Sequence, residues 1–197
     1  MKSISSVFLF FLLLFSCGKG RNESTVSGDP SNSDFSESSA KIHGNTIEAL
    51  DIQIPMSNEQ FKKWIPEQVG AMMQRKLLIG HKQGMKMSGA IATYQEKGQA
   101  MEQISMEILD GAGPIGAVML KSIAQKLTLD YEEQTDTGYS RIYEREGVRV
   151  WEKLDSSNQF VEIEYVTKGR FHFIFKGHQI EMEELWVFVR QVNQEMN

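Results

Sequence analysis

Residues 138–176 contain four segments of alternating polar and apolar residues, joined by links that are too short to hold a helix. The segments read "GYSRIYERE", "VRVWEKL", "QFVEIEYV" and "RFHFIFK". The links are Glu146-Gly147, residues 155–158 and Lys168-Gly169, whose residue types are typical of tight turns. Because parallel strands need a crossover of a dozen or more residues, these segments can pair in sequence only as an antiparallel meander.

A hairpin is predicted before the meander, because "KMSGAIATYQ" and "MEQISMEIL" alternate on either side of a turn at Lys97-Gly98. The residues between Pro66 and Gln83 remain ambiguous. Three helices complete the order α-β-β-α-β-β-β-β-α. Since strands and helices are segregated, the sequence predicts an α+β fold with an antiparallel sheet of about six strands and helices packed on it.

Each predicted helix has a recognisable start or face. The first begins at Ser57, which forms a capping-box pattern with Gln60, and ends near Pro66. The second runs from about Pro114 to Leu127, and its predicted apolar stripe consists of Ile115, Val118, Met119, Ile123 and Leu127. The third lies in "EMEELWVFVRQVN", and the residues that share its apolar face are Met182, Leu185, Trp186, Val189 and Val192.

The first 17 residues have the pattern of an export signal. Lys2 provides a positive charge, and the apolar run from Val7 to Phe15 is too short to span a bilayer. The run ends in Leu14-Phe15-Ser16-Cys17, which resembles the lipobox of bacterial lipoproteins. This resemblance implies that residues 1–16 are removed, that Cys17 becomes lipidated, and that the protein is anchored to a membrane of the cell envelope. Gly18 after the cysteine resembles an address for the outer membrane of a diderm bacterium.

The rest of the chain is predicted to contain a tether and one domain. Residues 17–45 are rich in Ser, Gly, Asn and Asp, so they cannot bury enough apolar surface to fold by themselves. Residues 46–197 have the size of a single α+β domain. The net charge is −5, and it becomes −6 when Lys2 is removed with the signal. This acidic balance argues against a nucleic-acid partner.

Three glycines between the hairpin and the second helix match the pattern G-x-G-x-x-G of dinucleotide-binding loops. They are Gly111, Gly113 and Gly116. A dinucleotide fold needs a parallel sheet whose first strand is continuously apolar, whereas "MEQISMEIL" alternates and the downstream links are short. We therefore expect a tight turn from strand to helix and no bound cofactor.

Other candidate sites have weak sequence support. His81, Met85 and Met87 have donor atoms that suit copper, but methionines also fill gaps in cores. The four histidines are expected at the surface or in turns, and Glu162 and Glu164 on a solvated sheet face. The sequence has no G-x-S-x-G pattern. We therefore expect a non-catalytic protein.

The side of the sheet opposite Phe171, Phe173 and Phe175, here called the outer face, carries a second apolar set. The alternation places Ile142, Trp151 and Ile174 on it. A helix or the linker covers them, or they form a patch that binds a partner. The sequence thus suggests an envelope lipoprotein with a binding or scaffolding domain that recognises a protein. The alternatives are a carrier of a small apolar ligand or lipid, and a methionine-rich copper-binding protein.

Overall fold

The computed structural model describes residues 49–80, 87–98 and 101–196. The helices are α1 (Asn58–Trp64), α2 (Pro114–Leu127) and α3 (Met182–Glu195). The strands are β1 (Gln68–Val69), β2 (Met72–Gly80), β3 (Ser88–Glu96), β4 (Gln103–Asp110), β5 (Tyr131–Thr135), β6 (Gly138–Arg145), β7 (Val148–Asp155), β8 (Phe160–Thr167) and β9 (Phe171–His178).

All nine strands form one open antiparallel sheet in the order β1-β2-β3-β4-β9-β8-β7-β6-β5. The predicted α+β class and the antiparallel pairing are confirmed, but the prediction of about six strands is wrong. The strands that sequence patterns missed are β1, β2 and β5. A register shift between Gln74 and Lys76 interrupts the alternation of β2, and every residue of the edge strand β5 is exposed, so β5 has no apolar face to detect.

The inner face of the sheet carries the main core. Phe173, Phe175 and Ile163 lie there beneath α3, and Phe61 of α1 joins the same cluster. The predicted face of α3 is buried as expected, with the exception of the half-buried Met182, and Phe188 adds to it. The predicted capping box of α1 is also present, since the Ser57 side chain accepts a hydrogen bond from the backbone N–H of Gln60.

Helix α2 crosses the outer face and packs against β7, β8 and β9. Its bounds match the prediction, but its buried face does not. Ala117 and Leu120 pack on the sheet with Leu50, whereas Val118 is 70% exposed. The reason is a close approach at Gly116, where an added Cβ would lie 2.7 Å from the carbonyl oxygen of Asp110. The helix turns its smallest residues towards the sheet, and this leaves part of the predicted stripe in solvent.

Asp110 fixes the junction between β4 and α2. Its carboxylate is fully buried and accepts hydrogen bonds from the Arg170 guanidinium at 2.7 and 2.8 Å. It also accepts from the backbone N–H groups of Met56 at 2.7 Å and Ala112 at 3.0 Å. Arg170 in turn donates to the backbone carbonyl of Ile54. One carboxylate therefore joins the segment that precedes α1, the glycine loop and the turn before β9.

The substitution Asp110→Asn tests this junction. It leaves Arg170 without a counterion and replaces one of the two accepting oxygens by an NH₂ group that faces donors, so we expect a loss of about 3 kcal/mol in the free energy of unfolding. Urea denaturation of the purified protein measures this loss. The control is Glu59→Gln, which breaks the exposed pair with Lys62 and should leave the midpoint nearly unchanged. Equal, small shifts in both variants would contradict the role of Asp110.

Candidate functional site

One row of directly opposed residues crosses the outer face from β5 to β2. Its members in order are Tyr131, Ile142, Trp151, Glu164, Ile174, Glu107, Ile91 and Leu78. The register thus places Ile142, Trp151 and Ile174 on the same face, as the alternation predicted. They do not form one continuous patch, because Glu164 separates Trp151 from Ile174.

The three predicted contact residues differ in their surroundings. Ile142 is buried. Trp151 is half-buried, and the ammonium nitrogen of Lys126 on α2 lies 4.5 Å from the centroid of its ring. Ile174 is half-buried and lies outside the strip that α2 covers most closely. The helix therefore covers part of the outer face, and the remaining part begins near Ile174.

An open groove of about 420 Å³ occupies this remaining part, over β2, β3, β4 and β9. Most of its lining is apolar, and the main side chains are Leu78, Met87, Ile91, Leu109 and Ile174. Leu78 is 50% exposed and Ile91 39% exposed. Large contiguous patches of exposed apolar surface are uncommon on monomeric proteins, and where they occur they usually mark a binding site.

Two glycines give the groove its depth. Gly80 and Gly89 are cross-strand partners on the outer face, and both line the groove. A Cβ added to Gly89 would lie 2.7 Å from the carbonyl oxygen of Ile108, so a side chain is excluded there. A Cβ added to Gly80 would meet no described atom within 4 Å, so no side chain of the described residues occupies the space directly above it. The groove is deep where the sheet lacks side chains.

A polar cluster lies at the boundary between the groove and α2. His172 lines the groove, and its Nε2 lies 3.1 Å from Oε1 of Glu164, whose Oε2 accepts a hydrogen bond from Lys126. Burial alone would raise the pKa of the Glu164 carboxyl, but the hydrogen bonds from His172 and Lys126 outweigh burial and hold this pKa below its ordinary value.

Two expectations about these polar residues are wrong. His172 is only 7% exposed, rather than at the surface, and Glu164 is buried rather than solvated. Both errors arise because α2 covers this part of the outer face. His178 is exposed as expected, while His43 and His81 lie outside the described residues. Glu162 is half-buried opposite Lys176, and burial raises its pKa although Lys176 opposes the shift.

The described residues offer no group of three His, Cys, Asp or Glu side chains that could hold a metal ion. Of the copper candidates, Met87 lines the groove, whereas His81 and Met85 lie outside the described ranges. Lys126 and His172 both form hydrogen bonds with Glu164. Among the described residues, no Ser or Cys side chain forms a hydrogen bond with His172. The cluster is suited to forming a polar wall of the groove.

A third buried carboxylate, Glu152, lies on the inner face and was not predicted. It accepts hydrogen bonds from the hydroxyls of Tyr139 and Tyr143, from Arg141, and from the indole N–H of Trp186. Burial alone would raise its pKa, but these donors lower it. The network fastens α3 to β6 and β7. Only the Tyr-x-Arg-x-Tyr alternation could have indicated it.

Comparison of the chain with known protein families, with curated proteins and with solved structures finds no match. Of the residues that the structure describes, no helix has both the length and the apolarity to cross a membrane. The lipobox-like segment, including Cys17, lies outside the described residues.

The pKa of Glu164 gives a testable pH dependence. Because the folded-state pKa is below the ordinary value of 4.5, ionised Glu164 stabilises the fold above that value, and the stabilisation is lost as the pH falls through the folded-state pKa. The difference in unfolding free energy between the native protein and Glu164→Gln should therefore shrink between pH 5 and pH 3. Urea denaturation across this range measures it, and a constant difference would contradict the lowered pKa.

Proposed function

We propose that this chain is a lipid-anchored protein of the outer membrane in the bacterial cell envelope, and that its domain binds a protein partner through the outer-face groove. The lipobox resemblance at Cys17 and the polar segment 17–45 support the anchor. The observation that carries the binding role is the open apolar groove between Leu78 and Ile174.

The shape of the groove favours a protein surface as its occupant. Its apolar side chains are half-buried or exposed along the sheet, and they extend to the end of β2, which has no second partner strand among the described residues. Polar groups lie among them and at their border, since Glu107, which pairs with Lys176, stands between Ile174 and Ile91, while Glu164 pairs with His172 beside α2. Protein–protein contacts commonly combine apolar side chains with such polar groups.

A second candidate function is a carrier of a small apolar ligand or lipid. The volume of about 420 Å³ falls within the range of small-molecule sites and supports this alternative. Native mass spectrometry of the gently purified protein distinguishes the two functions. A non-covalent lipid adduct above the mass of the acylated polypeptide supports the carrier, whereas the mass of the acylated polypeptide alone supports the protein-binding role.

Anchoring depends on one side chain in this proposal. We expect Cys17→Ala to abolish acylation and to move the protein out of the membrane fraction, because the acyl chains supply the membrane affinity. Cell fractionation and intact-mass measurement test this. A matched Ser16→Ala variant keeps a small residue before the cysteine and should stay in the membrane fraction. Normal processing and membrane retention of Cys17→Ala would overturn the anchor.

The groove is tested by photo-crosslinking in living cells. With benzoylphenylalanine in place of Leu78, we expect a discrete crosslinked species. An additional Gly80→Val should reduce the crosslink at least fivefold, because a branched side chain fills the empty space above Gly80 and also suits a strand. The same crosslinker in place of Val187, which is exposed on α3, is the control and should give no such species. Equal crosslinking at both positions would contradict the groove.

A further inference from the structure

The groove continues into a strand edge that has no partner within the described residues. β1 pairs with β2 only at Met72 and Met73, and the backbone N–H of Gln74 still donates to the carbonyl oxygen of Glu67. Beyond that point, residues 76–80 pair with β3 on one side, and no described strand pairs on the other. This edge can accept a further strand.

The side chains along this edge alternate between the two faces. Lys76, Leu78 and Gly80 belong to the outer face, where Leu78 and Gly80 line the groove. Leu77 and Ile79 are half-buried and pack against the inner core. A strand laid beside β2 would run about 4.8 Å away, and every second side chain would point into the groove. The backbone edge and the groove thus form one continuous surface.

The charge of the edge indicates the chemistry of its partner. The whole chain carries a net charge of −5, yet the edge carries the two exposed cations Arg75 and Lys76. Neither forms an ion pair with a carboxylate of the described ranges, in contrast to Lys126 and Lys176 on the same sheet face. The opposite edge strand, β5, carries Glu132 and Glu133 instead, so the two edges differ in sign.

We propose that an extended segment of the partner protein adds to β2 as a tenth strand. Its carboxylate lies opposite Lys76, and apolar side chains lie opposite Leu78 and Gly80, inside the groove. The recognised pattern is therefore acid-x-apolar-x-apolar for a segment that runs parallel to β2, and apolar-x-apolar-x-acid for one that runs antiparallel to it. This inference rests on the proposed binding function and specifies its mode, which is strand addition with main-chain hydrogen bonds and alternate side-chain pockets.

The test is selection of displayed random heptapeptides on the full mature protein in lipid nanodiscs. We expect enriched peptides that share one of the two patterns, acid-x-apolar-x-apolar or apolar-x-apolar-x-acid. Binding of a synthetic enriched peptide should slow amide hydrogen exchange in residues 72–80. Lys76→Glu should weaken this peptide about fivefold, through loss of one ion pair and gain of a like-charge contact. The matched variant Lys121→Glu, on the exposed side of α2, should bind as the native protein does.

The outcomes separate this inference from the proposed function. Suppose that Gly80→Val abolishes peptide binding, but that binding leaves the amide exchange of residues 72–80 unchanged. Strand addition is then wrong, and the groove remains the binding site. If no peptide is enriched but position 78 still gives a crosslink, the inference that the partner is a linear segment is wrong, and the groove remains the binding site. Failure of both overturns the groove as well. A dimer in sedimentation that Lys76→Glu dissociates would assign the edge to a second copy of this chain.

Discussion

The buried pair of Asp110 and Arg170 is the interaction on which the arrangement of the outer face depends. Asp110 is the last residue of β4, and its carboxylate accepts hydrogen bonds from the backbone N–H groups of Met56 and of Ala112 in the glycine loop. Its ion-pair partner, Arg170, lies just before β9. The pair thereby sets where α2 begins, and Gly116 lets that helix lie close to the sheet. Because α2 is held over β7, β8 and β9, no described helix packs closely on the outer face of the strands from β4 to β2.

The two faces of the sheet consequently have different roles. The inner face is covered by α3 and α1, and the Glu152 network fastens α3 in place through Trp186. The outer face is divided, with Val166 packed under α2 and Ile91 exposed in the groove. A carboxylate that is fully hydrogen-bonded at the boundary, Glu164, keeps the edge of α2 in position beside the open part. Stability is thus concentrated where the helices lie, and the groove can accept a partner without rearrangement of the core.

The sequence predicted the elements that alternate strongly and missed those that do not. β6 to β9 were found because each has one buried and one polar face, and α3 because of its wide apolar face. β5 is exposed on both faces and β2 contains a bulge, so neither shows a clean period. The site was harder to predict. The alternation placed Ile174 on the correct face. The groove, however, depends on the pairing of Gly80 with Gly89 and on which strands α2 covers. These are tertiary facts that no local pattern contains.

The central claim is that the uncovered part of the outer face is occupied by a partner in the cell envelope. Hydrogen–deuterium exchange of the native protein in isolated envelope vesicles, compared with the purified protein in nanodiscs, tests it most directly. The account predicts slower exchange in the envelope for β2 and β3, with α3 unchanged. Identical exchange of β2 and β3 in both preparations would contradict it, because a surface that binds a partner in the envelope cannot remain equally open there.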